Sequence, residues 1–113
     1  MIIEQLNPKP IEKIRFHLSA FKLVPQTSGC YVLTSPENNI LYIGLAKNLY
    51  NRFRNHLNDT EKTKPTVDGK AHWFYYMDFD CKNLEMLERT WIHQFEGIHS
   101  RKPILNKVSS PIS

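Results

Sequence analysis

The sequence lacks any apolar stretch approaching the roughly 18 residues that a membrane helix needs; its densest run, Gly29 to Leu33, is far shorter. The first residues, Met1 to Lys13, lack the basic-then-apolar order of a secretory signal. Cysteine is scarce: Cys30 and Cys81 have no Cys-x-x-Cys spacing and are too few for a disulfide framework. Membrane-spanning, secreted and disulfide-stapled classes are therefore set aside, and the expectation is a reduced, cytoplasmic protein with no membrane partner. Internal repeats, low-complexity tracts and linker-like stretches are also missing from the 113 residues, so the length indicates one domain with a modest core. A hydrophobic fraction of 41% and a charged fraction of 23% are ordinary for a globular protein.

Acidic excess is absent too. The net charge is +4 and the pI near 9.1. Up to Asn58 seven basic residues meet three acids, whereas from Asp59 onward eight meet eight, so all the excess lies in the first half. Lys47, Arg52 and Arg54 cluster there. Such a stripe attracts phosphate backbones, or is simply a solvated helix face.

Hydrophobic periodicity predicts a helix over Pro10 to Leu23, with Ile11, Ile14, Leu18 and Phe21 three or four residues apart. Cys30–Thr34 and Ile40–Ile43 read as a β-hairpin around Pro36-Glu37-Asn38-Asn39. Ala46–Asn58 reads as a helix, Asp59–Gly69 as a polar loop and His72–Phe79 as a strand. Asn83–Phe95 is a helix bounded by Gly97, and the tail from Ser100 is Pro-punctuated coil. The fold class is α+β: a small sandwich with a three-stranded, mainly antiparallel sheet flanked by helices, plus an extra N-terminal helix. The expected division is an N-terminal helical extension over 1–27 and a main domain over 28–113.

Three places carry chemistry. On the last helix, at about 100° per residue, Glu88 falls inside the apolar stripe of Leu84, Leu87, Trp91, Ile92 and Phe95. A carboxylate there costs several kcal/mol unless something pairs with it; it is a functional ligand, a rim residue that reaches water, or the partner of a structural arginine. On the Ala46–Asn58 helix, Arg52 and His56 lie one turn apart beside the buried stripe of Leu49, Phe53 and Leu57, able to hold a phosphate and move a proton. In the hairpin, Tyr31 and Tyr42 face out of neighbouring strands, as cross-strand packing or as catalysts. Gly44 precedes a helix, where the missing Cβ lets backbone approach backbone or phosphate.

Gly29-Cys30-Tyr31, ten intervening residues and Tyr42-Ile43-Gly44 resemble the signature of the GIY-YIG nuclease family. Gly44-Leu45-Ala46-Lys47-Asn48-Leu49 with Arg52 and His56 is similar to that family's strand-to-helix junction. Leu87-Glu88-Arg89-Thr90-Trp91-Ile92 resembles its metal-binding helix, and Pro103-Ile104-Leu105-Asn106 its closing Asn motif. The likeness runs from about Ser28 to Lys107. Cys30 departs from the family's aliphatic residue, but a buried Cys packs as a small hydrophobe.

The resemblance implies a metal-dependent DNA endonuclease with Tyr31, Tyr42, Arg52, His56, Glu88 and Asn106 as catalytic set. Glu88 would hold one Mg²⁺ (or Mn²⁺), a hard cation that keeps several waters. Arg52 would clamp the scissile phosphate. Tyr31 would orient or activate water, although a phenol needs a nearby cation such as Arg52 or the metal to lower its pKa from about 10. Tyr42 and His56 would complete the proton relay, and Asn106 would hold the tail against the site. Gly44, Lys47, Asn48, Arg52, Lys70 and His72 are the expected nucleic-acid contacts. Related domains serve repair, homing, restriction, recombination and mobile elements, usually beside a separate DNA-recognition domain. Here either the Pro10–Leu23 helix and the Asp59–Gly69 loop suffice for weak binding, or a targeting domain or partner supplies recognition, and cutting both strands would need two visits or a dimer. The alternative is a non-catalytic DNA- or RNA-binding module, or an accessory subunit, with the same fold. A zinc site from Cys30, Cys81, His56 and His72 has none of the usual spacings. Trp73, Phe74, Tyr75 and Tyr76 either stack bases or split between core and surface.

Overall fold

The structure is a computed structural model and describes residues 1–106. In chain order its elements are β1 (Glu12–Arg15), β2 (Gly29–Thr34), β3 (Ile40–Ala46), α1 (Leu49–Leu57), the short α2 (Thr60–Thr63), β4 (Trp73–Asp78) and α3 (Leu84–His99). Single 3₁₀ turns lie at Ile3–Gln5, Leu18–Leu23 and Cys81–Asn83.

β2 and β3 pair as the predicted hairpin, with Tyr31 opposite Gly44 and Leu33 opposite Tyr42. Its turn places Asn38 at φ 68°, a left-handed conformation that Asn tolerates better than most residues. β4 returns on the other side of β2, and the sheet is antiparallel throughout in the order β1-β4-β2-β3. The α+β class holds.

Strand alternation divides the core in two. Cys30, Val32, Ile43 and Tyr75 point to one face and pack under Leu84, Leu87, Trp91 and Phe95 of α3, the stripe read from the sequence. Tyr31, Leu33, Phe74 and Tyr76 point to the other and pack under Leu49 and Phe53 of α1. Cys30 is fully buried, as a small hydrophobe should be.

The N-terminal helix is a correction. Glu12–Arg15 instead forms a fourth strand on the edge of β4, and Leu18–Leu23 is a 3₁₀ turn capped by His17. Of the residues that suggested a helical stripe, Ile11 is 81% and Leu18 64% exposed, while Phe16, Ala20 and Val24 are buried. The unpaired backbone of β4 wins over local periodicity, because a strand there satisfies donors and acceptors that a helix would leave to water. The first residues also strap the α3 face. Ile3 and Leu6 are buried, Trp91 Nε1 donates to the Pro8 carbonyl at 2.8 Å, and the Asn7 backbone exchanges two hydrogen bonds with Gln94.

Two smaller differences concern punctuation. Asp59–Gly69 is not a plain loop: Asp59 caps α2 by accepting from the Glu61 N–H at 2.9 Å, and Thr66 and Gly69 close a tight turn. Gly97 does not end α3, which runs to His99 and stops at Ser100 in the left-handed region, φ 57°. The expected coil beyond 106, including Lys107, lies outside the described residues. Among the described residues no helix is long and apolar enough to cross a membrane.

Candidate active site

Tyr31 is the buried centre of the site. It is 0% exposed, with its ring stacked on Phe74 at 5.1 Å and on Tyr42 at 5.9 Å. Its hydroxyl lies 2.5 Å from His56 Nε2. Gly44, directly across the hairpin, makes the phenol's position possible: a Cβ there would come within 2.5 Å of Tyr31 Oη and 2.7 Å of Tyr42 Cε1. Glycine is required here because a side chain already occupies the space.

α1 delivers Arg52 and His56. The helix starts where Asn48 Oδ1 accepts from the Asn51 N–H at 3.0 Å, and the Leu49 and Tyr50 N–H groups donate to the Thr27 and Pro25 carbonyls. These bonds satisfy first-turn donors that would otherwise be orphaned. Leu49 and Phe53 are wholly buried and fix the rotation of the helix. One turn apart, half-buried Arg52 donates to the Leu45 carbonyl of β3 at 3.2 Å and His56, 7% exposed, reaches Tyr31. Arg54 points away, over the rings of Phe21 and Tyr50.

Burial sets the proton balance. The His56 imidazole is pushed down to about 3, by desolvation first and then by the charges of Lys62 and Arg52. The Tyr31 phenol is pushed well above its usual value, by desolvation and then by Tyr42, and Arg52 does not overcome this. The expected lowering of the phenol by Arg52 is thus outweighed. Phenol and imidazole are both neutral, and Tyr31 Oη and His56 Nε2 share one hydrogen bond, in which the phenol donates when the imidazole proton sits on Nδ1.

Glu88 approaches from the opposite face of the sheet. It is half-buried on α3, and among the described residues no cation lies within ion-pair distance of it. Burial, then Glu85, raises its pKa, against the pull of Lys102, Arg89 and Arg52. The pull of Arg52 means that the carboxylate and the guanidinium sense each other across β3. Asn106 joins them indirectly: its side chain accepts from the Ile43 N–H and donates to the Ile43 carbonyl, both at 2.8 Å. It pairs the open edge of β3 between Tyr42 and Gly44.

The remaining candidates lie elsewhere. Lys47 is exposed at the β3–α1 junction, where the Asn48 side chain is engaged as a cap. Lys70 is exposed in the loop before β4. His72 sits where β4 meets the far end of β2, its backbone N–H donating to Thr34, among the charges of Arg15, Glu37 and Lys13. Sequence reasoning missed Lys62, which is 9% exposed with its ammonium 4.9 Å from the centre of the Tyr42 ring. The signal was Asp59 three residues earlier, a capping residue that turns part of the polar segment into helix.

A sheet with helices on both faces, carrying a buried Tyr–His pair with an arginine beside it on one face and a half-buried carboxylate on the helix of the other, defines the class. The chain belongs to the GIY-YIG family: the GIY-YIG catalytic domain matches residues 27–101, and that domain is of nuclease type. The chain is similar to the UvrABC system protein C of Pediococcus pentosaceus, 33% identical over 82 residues, which is 71% of this chain and 14% of the relative. The protein of the same name from Lactiplantibacillus plantarum is 33% identical over 76 residues, 66% of this chain and 13% of the relative. That from Borrelia duttonii is 52% identical over 42 residues, 35% and 7% respectively. The chain spans about a seventh or less of the length of these relatives.

Proposed function

We propose that this chain is a divalent-metal-dependent endonuclease that hydrolyses phosphodiester bonds in DNA. The observation that carries the reading is the Tyr31–His56 hydrogen bond enclosed beside Gly44, with Arg52 near it and the half-buried Glu88 on the helix of the opposite face. Glu88 fits a Mg²⁺ or Mn²⁺ ion. It is a hard oxygen donor, partly desolvated and without an ion pair among the described residues. Mg²⁺ commonly takes one or two carboxylates and fills its shell with water and substrate phosphate. Among the described residues no three His, Cys, Asp or Glu side chains converge, so water and substrate phosphate would complete the shell of one ion held by Glu88. Bound there, the ion would offset charge on the nonbridging and leaving oxygens of the phosphodiester.

The protein's own groups do the rest. Arg52, oriented by the Leu45 carbonyl, clamps the scissile phosphate and opposes the charge that grows in the transition state. Tyr31 commits its proton to His56, and its oxygen lone pairs, buried in the free protein, would accept a hydrogen from the attacking water once substrate binding admits it. As that proton arrives, the phenol proton moves to Nε2. His56 is a weak base in the free protein, and an anionic phosphate against Arg52 and Lys62 offsets two of the charges that weaken it. Tyr42 stacks on Tyr31 and keeps its ring in place. Asn106 is a positioning residue that fixes Ile43 and thereby both of its neighbours.

Phosphate contacts carry no sequence information. Targeting therefore falls to a separate DNA-recognition domain, a partner or a second copy. The unpaired Cys30 and Cys81 suit a reducing cytoplasm. Nicking of supercoiled plasmid tests the reading. Wild type should cut with Mg²⁺ and not with EDTA, and Tyr31→Phe should be at least about 100-fold slower, the usual weight of a proton-transfer group. Binding without cutting would favour the non-catalytic module, and a Tyr31→Phe protein as fast as wild type would refute the relay.

A further inference from the structure

A lysine rarely buries its whole length, because desolvating an ammonium is costly unless a partner repays it. Lys62 buries most of its side chain. Its side chain is 11% exposed, and its ion-pair partner among the described residues is Asp59 at 3.8 Å, beyond hydrogen-bond length and 43% exposed. Its ammonium also lies over the face of Tyr42, 4.9 Å from the ring centre. That ring stacks on Tyr31 and lies edge-on to His56, 5.2 Å away. The ammonium is therefore held in the wall of the site. Its charge is felt there, since Lys62 precedes Arg52 among the charges that depress His56. Two cations act on the imidazole while Asp59 alone opposes them. An environment of that sign is completed by an anion.

We propose that Lys62 is a phosphate-binding residue of this site, the second cation that a nucleic-acid strand meets beside Arg52. The inference rests on the nuclease reading above and adds a residue to it. The exposed Lys47, Lys64 and Lys70 differ from Lys62, since their ammonium groups lose little by remaining in water. A solely structural role, holding the Tyr42 ring, is the competing explanation, and salt dependence separates the two.

The test measures binding of a short DNA duplex in EDTA over a range of salt, with wild type, Lys62→Met and Lys62→Arg, alongside melting temperature and Mg²⁺-dependent nicking. Lys62→Met should weaken binding at low salt about tenfold, as expected for one lost charge-assisted contact. The slope of log K against log salt should shrink by about 0.9, one phosphate contact. Lys62→Arg should restore both. If Lys62→Met does not fold, Lys62→Gln is read by the same slope. An unchanged slope and affinity in a folded, charge-removed variant overturns the assignment, as does failure of Lys62→Arg to restore binding. Wild type that neither binds nor cuts overturns the nuclease reading itself. Wild type that cuts while the variants keep its slope overturns Lys62 alone.

Discussion

Replacing His56 by Gln and following stability into acid isolates one buried imidazole. His56 is 7% exposed and its pKa is pushed down to about 3, by burial before Lys62 and Arg52. In an unfolded chain an imidazole titrates near 6.5 (roughly). Between those values the unfolded state binds the additional proton, so stability rises with pH across the window and is lost as pH falls from about 6.5 towards about 3. Integrated over that window, His56 subtracts about 2 kcal/mol by pH 5 and about 3 kcal/mol by pH 4. Against a typical total of about 5–15 kcal/mol this is a large share. His56→Gln keeps an acceptor for the Tyr31 hydroxyl and does not titrate. The stability advantage of wild type over the variant should therefore fall by about 3 kcal/mol between pH 7 and pH 4. Urea unfolding at pH 7, 6, 5 and 4 reads it directly, because carboxylates common to both proteins cancel in the difference. Parallel stability profiles would refute burial of His56 in its neutral form, and with it the proton acceptor of the proposed relay.

Arg52→Ala should lose cutting by about 100-fold or more with a modest change in DNA affinity, since a transition-state contact acts on turnover. Arg54→Ala, which removes a cation from the Phe21 and Tyr50 rings outside the site, should cut nearly normally; equal losses would argue against this orientation of α1. Glu88→Gln should abolish Mg²⁺-dependent cleavage, leave melting in EDTA unchanged or higher, and remove any rise in melting temperature produced by Mg²⁺. A variant melting well below wild type in EDTA would mean that Glu88 serves the fold instead. Gly44→Ala places a methyl 2.5 Å from Tyr31 Oη and should cost about 1–3 kcal/mol while impairing cleavage, seen in paired melting and nicking assays.

The parts legible in the sequence were those whose signal is local. The stripe of Leu84, Leu87, Trp91 and Phe95 repeats at helical spacing and is buried as expected, and the hairpin declares itself by two β-rich runs around a turn. Glu88 was visible as a charge inside that stripe. Pro10–Leu23 was misread because its pairing with β4 joins residues about 60 apart, and no local window contains that bond. The same limit hid Lys62, whose burial depends on a ring in β3, and the direction of the Tyr31 and His56 shifts, which follow from packing. His72 shows the converse. Its position near the third strand was legible, but only the register reveals that it faces the N-terminal strand's charges.

The two hydrophobic clusters on opposite faces of the sheet have a mechanical consequence. Tyr31, Arg52 and His56 ride on the α1 side, Glu88 rides on the α3 side, and β3 is the rigid datum between them. The gap across which the proposed metal and phosphate clamps must meet is set by how closely each helix settles on the sheet. Adding or removing a methylene beneath α3, at Val32 or Leu87, would raise or lower Glu88 against a stationary Tyr–His pair. Changes beneath α1 would do the reverse. Each half can be adjusted in reach without altering a single group proposed to touch substrate, so the spacing of the site is a property of interior packing.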